Sequence, residues 1–138
     1  MSRYLIDTNV IIDAADPESE WYAWSAAQLM RATDSGQAFI NPIVYAELAG
    51  YADSEAQIES ILSDMLLKRA ELPRKAAFLA GRAFVAYRRN GGIRSAPLPD
   101  FYIGTHAQVA GLTLLTRDAK RYRNYFPELR LIAPDAAP

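Results

Sequence analysis

Short apolar runs alternate with longer segments of helical spacing along this chain. Arg3–Ile6, Ala38–Ile40, Thr113–Thr116 and Leu129–Ile132 are bounded by turn-forming residues, and each predicts a buried strand. Ala70–Leu72 predicts a weaker strand that Pro73 ends. Val10-Ile11-Ile12 opens a short helix, with Thr8 or Asn9 placed to cap it. Asp16-Pro17-Glu18 is a second helix start, and Trp21, Trp24, Tyr22, Ala26 and Leu29 spread apolar surface broadly over 17–32. Asn41-Pro42 starts a helix over 43–51, and Ser54 with Gln57 has capping-box spacing ahead of Ile58, Ile61, Leu62 and Met65. An alanine-rich helix over 74–90 meets Gly91-Gly92, and the two prolines within 93–99 predict an extended loop. Helices over 100–111 and 119–125 follow, and Pro134 begins a tail. Strands alternating with helices imply an α/β fold: one domain over 1–138, with a mostly parallel sheet of about five strands flanked by helices on both faces.

Composition adds three exclusions and one asymmetry. Absent cysteines exclude disulfides and thiolate chemistry, which fits a cytoplasmic protein. No apolar run approaches the roughly 18 residues of a membrane span, and the N-terminus lacks a signal-peptide pattern. A single histidine excludes paired-histidine acid–base catalysis, and neither a Walker loop nor a Gly-x-Gly-x-x-Gly fingerprint is present. The net charge of −1 conceals an uneven distribution. Residues 1–67 hold 2 basic and 11 acidic side chains, whereas residues 68–138 hold 13 basic and 5 acidic. Such asymmetry points to a polyanion-facing surface, or to two halves that neutralise each other.

Four acids sit where this fold concentrates ligands. Asp7 and Asp118 directly follow predicted strands, Asp100 opens a helix, and Glu47 shares a helix stripe with Ile43 and Gly50 on a partly inward face. Singly, each aspartate reads as a helix cap and Glu47 as an ion-pair partner. Together they are costly, since two charges about 4 Å apart repel by roughly 4 kcal/mol at an effective dielectric of about 20. A convergent quartet must therefore hold protons or a cation. Oxygen ligands favour a hard ion, Mg²⁺ or Mn²⁺, which would activate water for phosphodiester hydrolysis. On that reading Asp7 and Asp118 are the principal metal ligands, with Asp100 and Glu47 binding directly or through water. Thr116 would orient Asp118, and Thr8 or Asn9 would hold Asp7.

The stretch from Leu5 to Asp13 (Leu-Ile-Asp-Thr-Asn-Val-Ile-Ile-Asp) resembles the opening motif of PIN-domain proteins. Asn41 to Leu48, Asp100 to Ala107 and Thr113 to Asp118 resemble their second, third and fourth motifs, so the match spans nearly the whole chain. Length and single-domain form are similar to VapC-type toxins of bacterial toxin–antitoxin pairs. The resemblance implies an Mg²⁺- or Mn²⁺-dependent endoribonuclease with Asp7, Glu47, Asp100 and Asp118 as its acidic quartet. It also implies a homodimer and a small VapB-type antitoxin that plugs the site. Gly104 stands where the family usually has alanine.

Arg88, Arg89 and Arg94 precede Asp100, and Arg117, Lys120 and Arg121 surround Asp118, as candidates for contact with RNA phosphates. Tyr87, Tyr102, Tyr122 and Tyr125 are base-stacking candidates whose commoner role is in the core. His106 reads as structural, and Trp21 and Trp24 as core or interface residues. Two alternatives compete with the nuclease. One is a catalytically inert PIN-like module that binds RNA or protein. The other is a Mg²⁺-binding receiver domain, which would want an acidic pair after the first strand and a lysine after the last. Here Asp7 stands alone and Ala133-Pro134 closes the last strand.

Overall fold

The computed structural model describes residues 2–93 and 98–135. Five parallel strands form one sheet: β1 (Ser2–Ile6), β2 (Gly36–Ile40), β3 (Leu67–Arg69), β4 (Thr113–Leu115) and β5 (Leu131–Ile132). Their spatial order is β3-β2-β1-β4-β5. Leu5, Ile6, Ile40, Leu114 and Leu115 are fully buried, as expected of parallel strands covered on both faces. The helices are α1 (Thr8–Ala14), α2 (Tyr22–Ser35), α3 (Pro42–Ala49), α4 (Glu55–Asp64), α5 (Arg74–Arg89), α6 (Pro99–Ala110) and α7 (Lys120–Tyr125). Among the described residues no helix is long and apolar enough to cross a membrane.

Local signals explain most boundaries. Asn41 accepts from Val44 N–H at 3.0 Å and Pro42 occupies the first turn of α3. Ser54 accepts from Gln57 N–H at 3.1 Å, but the Gln57 side chain returns to Asp53 N–H at 2.5 Å, one residue earlier than in a capping box. Gly111 closes α6 in the left-handed conformation, which glycine adopts without a Cβ clash. Small residues let α5 and α6 approach: Ala76 and Ala80 are fully buried, and the Thr105 hydroxyl donates to Ala76 C=O at 2.8 Å.

Two expected elements shift. The helix expected from Pro17 begins only at Tyr22, because Asp16 forms a local turn in which Glu18 N–H donates to its carboxylate at 3.0 Å. The third strand lies at Leu67–Arg69, ahead of Ala70–Leu72. Leu66 takes φ 59° just after α4 and turns the chain at once into β3, a duty for which leucine carries no sequence signal. Gly104 has a packing reason: a Cβ there would lie 2.6 Å from the Phe126 ring. The extended loop expected over 93–99 falls largely outside the described residues, as does the end of the tail.

Candidate functional site

Strand order reverses beside β1, and the two central strands deliver their next residues to one place. Ile6 pairs with Leu115, so Asp7 and Thr116 emerge side by side. Asp7 N–H donates to Leu115 C=O at 2.9 Å. The Thr116 hydroxyl donates to Asp7 Oδ2 at 2.8 Å, and Thr8 N–H donates to Asp7 Oδ1 at 2.8 Å. Asp7 is thus the cap of α1, in place of Thr8 or Asn9. Those two have other duties. The Thr8 hydroxyl donates to Glu47 Oε1 at 2.6 Å. Asn9 Oδ1 accepts from Arg117 N–H at 3.1 Å, while its Nδ2 makes a longer contact of 3.4 Å with Asp7. Thr116 orients Asp7, and its hydroxyl oxygen also accepts from Asp118 N–H at 3.1 Å.

Asp7 is buried, only 4% exposed, and its carboxyl pKa is pushed up to about 6. Burial is the main cause and the charge of Asp100 adds to it, against lowering by Thr116, Tyr122 and Thr8. The buried Tyr122 hydroxyl lies 3.0 Å from Asp7 Oδ2 and 3.3 Å from Asp100 Oδ1. It has one proton for two carboxylates, so a proton held by Asp7 frees it to donate to Asp100. Burial, followed by the neighbouring Asp7 and Asp100 charges, drives the Tyr122 phenol well above its ordinary range. Asp100 is further held by Arg121 Nη1 at 2.9 Å. Tyr122 was legible in sequence only as an aromatic; it lies in the first turn of α7, four positions after Asp118.

All four acids line one cavity of about 360 Å³, with Thr8, Asn9, Ile12 and Arg117. Glu47 and Asp118 are exposed there, so the inward helix face expected for Glu47 is corrected. The metal-dependent hydrolase is corrected too. Among the described residues no group of three or more His, Cys, Asp or Glu side chains is arranged to hold a metal ion. The physical reason is visible in the hydrogen bonds. Each bonded carboxylate turns to its own donors: Asp7 to Thr8, Thr116 and Tyr122, Glu47 to Thr8, Asp100 to Tyr122 and Arg121. Hydrogen-bond donors, joined below about pH 6 by a proton on Asp7, relieve the repulsion that a cation was expected to relieve. The residues do not fit Mg²⁺ or Mn²⁺, and the nuclease activity and cofactor inferred from such an ion are withdrawn with it.

The basic candidates divide. Arg121 pairs with Asp100, and Arg117 Nε donates to Asp13 Oδ2 at 2.5 Å. Lys120 lies with Asp100, Asp118 and Arg121 along an adjoining hollow. Arg88 and Arg89 are exposed at the end of α5, and Arg94 lies outside the described residues. Asp13 is buried and bonded also by the Ser19 hydroxyl at 3.0 Å, a task that its place at the end of the opening motif does not reveal. Trp21 lies under the Arg117 guanidinium, and Trp24 packs against the core. His106 is buried, with Nδ1 3.1 Å from Asn41 Nδ2.

A parallel sheet with acids gathered at its switch point is the architecture of a small α/β binding or catalytic domain. Residues 4–127 match the family model described as PIN domain, and the chain belongs to that family. Among solved structures it is similar to a chain of VapBC2 from Rickettsia felis bound to a DNA fragment from their promoter. The identity is 24%, with 95% of this chain and 98% of that chain covered and a TM-score of 0.69. A chain of DNA-bound VapBC from Salmonella typhimurium gives 23% identity, coverage of 96% and 98%, and a TM-score of 0.69. FitAcB from Neisseria gonorrhoeae gives 21%, 94% and 96%, and 0.63. At these identities the likeness is one of fold. A search of curated proteins finds no match to the chain.

Proposed function

We propose that this chain is one member of a two-protein pair of the toxin–antitoxin kind, and that it acts by binding. Its acidic cavity receives a cationic segment of a small VapB-like partner protein. The observation that carries this reading is the cavity: four carboxylates line it, two of them exposed, with no three arranged around an ion. A guanidinium about 4 Å from one such carboxylate gains roughly 4 kcal/mol of Coulomb energy at an effective dielectric of about 20. Glu47 and Asp118 have oxygens to offer it. That similar chains occur in structures of VapBC and FitAcB supports a protein partner, and self-association beneath the pair belongs to the same proposal. A second reading, contact with RNA through Arg88, Arg89 and Lys120, rests on exposed cations outside the four-acid cavity.

Calorimetric titration with acetylated, amidated hexa-arginine, with hexaglutamate and with mixed-sequence single-stranded RNA separates these readings. The arginine peptide should bind with or without EDTA. It should weaken about tenfold when Glu47→Gln and Asp118→Asn are combined, about 1.4 kcal/mol of attraction. Tighter binding of RNA than of the arginine peptide, or peptide binding indifferent to the two substitutions, would sink the protein-partner reading.

A further inference from the structure

One cation in the acidic cavity is held from several sides before any partner arrives. Arg117 leaves β4 beside Thr116, and its N–H is fixed by Asn9 at 3.1 Å. Its Nε donates to Asp13 at 2.5 Å, and the Asp13 side chain is only 8% exposed. Ser19 holds the other Asp13 oxygen at 3.0 Å, and the Arg117 guanidinium carbon stands 5.8 Å from the Trp21 ring centroid. A free arginine loses rotamer freedom when it binds; this one has already lost it to its neighbours.

Internal neutralisation does not account for the arrangement. Arg121 performs that task by pairing with Asp100, whereas Arg117 pairs outside the quartet, with Asp13. Among the described residues Nη1 and Nη2 of Arg117 have no hydrogen-bond partner, and the side chain is a third exposed where it lines the cavity. Two coplanar N–H groups match the two oxygens of a carboxylate. An RNA phosphate would also suit the fork, but it would bring the rest of a polyanion against Glu47, Asp100 and Asp118.

We infer that Arg117 is an oxyanion anchor of the cavity, and that the segment it receives carries a carboxylate beside its cation. The cavity then recognises an Arg–Asp or Arg–Glu combination instead of positive charge alone. Asp13 is the positioning residue that aims the fork. The inference rests on the binding reading above and gives that partner its chemistry.

The test uses two acetylated, amidated pentapeptides with two arginines each, differing only in aspartate or asparagine at the centre. The intact chain should bind the aspartate peptide about tenfold tighter. Arg117→Met should abolish that preference while tightening the asparagine peptide, because a cation has left an acidic cavity. Two effects of opposite sign cannot both come from unfolding. Asp13→Asn, which frees the guanidinium without removing it, should reduce the preference, and Arg117→Lys should restore it only in part. Equal binding of the two peptides by the intact chain, or a preference that survives Arg117→Met, overturns the anchor alone. Failure of both peptides to bind overturns the binding reading beneath it. RNA binding tighter than either peptide and lost in Arg117→Met overturns the peptide carboxylate in favour of phosphate.

Discussion

Asp7 follows β1 and Asn41 follows β2, its parallel neighbour, and each caps the helix that leaves its strand. Both side chains are buried, 4% and 1% exposed. The amide is neutral and offers both polarities: its oxygen takes Val44 N–H, and its NH₂ reaches His106 Nδ1, which must be the acceptor. The carboxylate does the same capping with a charge it cannot easily keep, beside a second acid, and its pKa rises to about 6. A cap needs only an acceptor. The charge at Asp7 exceeds what the fold requires and weakens the fold above that pKa, which is the kind of local cost that accompanies a binding site.

Replacing the charged cap by the neutral one should have the largest effect. Asp7 has a folded pKa of about 6 against an ordinary 3.8, so the folded state holds the extra proton between those values. Stability therefore falls as pH rises through that window, by about 3 kcal/mol in all. Asp7→Asn removes the titration, so its unfolding midpoint in urea should exceed that of the parent at pH 8 and lose the advantage near pH 4. A variant less stable than the parent at pH 8 would show that the carboxylate is needed for the fold. His106 supplies the opposite slope. Burial lowers its pKa below the ordinary 6.5, so it stays neutral when folded while the unfolded chain gains a proton. Its contribution is complete above 6.5 and is lost as pH falls, and Asp7→Asn should expose that acid-side loss unmasked.

Asn41→Ala should cost about 2 kcal/mol, combining a lost cap with a buried imidazole nitrogen left without its donor. Asn41→Asp keeps the acceptor but introduces a charge, and should move the His106 titration upward in an NMR pH series. An unmoved titration would mean that the two groups do not communicate. Tyr122→Phe should cost about 1 kcal/mol at pH 8 and less at pH 4, because a lost donor is felt most by an ionised carboxylate. It should also carry the Asp7 pKa above its parent value, read from the carboxyl carbon resonance. Arg121→Gln should have the smallest effect, within about 1 kcal/mol, since its pair with Asp100 is half open to water. A larger loss would mean that Asp100 destabilises Asp7 far more once unpaired.

Much of the architecture was legible because its causes are local. Asn41-Pro42, Ser54 with its following apolar positions, and Gly111 act within a turn or two of the chain. Leu66 was not legible, since its left-handed turn is imposed by the passage from α4 to β3. Gly104 was visible as a departure from alanine, but its reason, the Phe126 ring, lies 22 positions away in the chain. Asp13 shows in the sequence only as a motif residue and Tyr122 only as an aromatic; Arg117, which Asp13 holds, lies 104 positions away, and Asp7, which Tyr122 reaches, lies 115 away, so their tasks were invisible.

By itself the sequence determined where strands give way to helices and which residues bring charge to those junctions, because apolar period, capping and proline geometry operate over a few residues. Tertiary structure alone decided what the charges do. Thr8 reaches Glu47 across 39 positions and Tyr122 reaches Asp7 across 115, so protein donors engage these oxygens, and among the described residues no three acids are arranged to hold an ion. Whether four acids hold a metal, a proton or a partner's cation depends on the direction of single oxygen atoms and on the water removed around them. Neither quantity exists until the chain has folded.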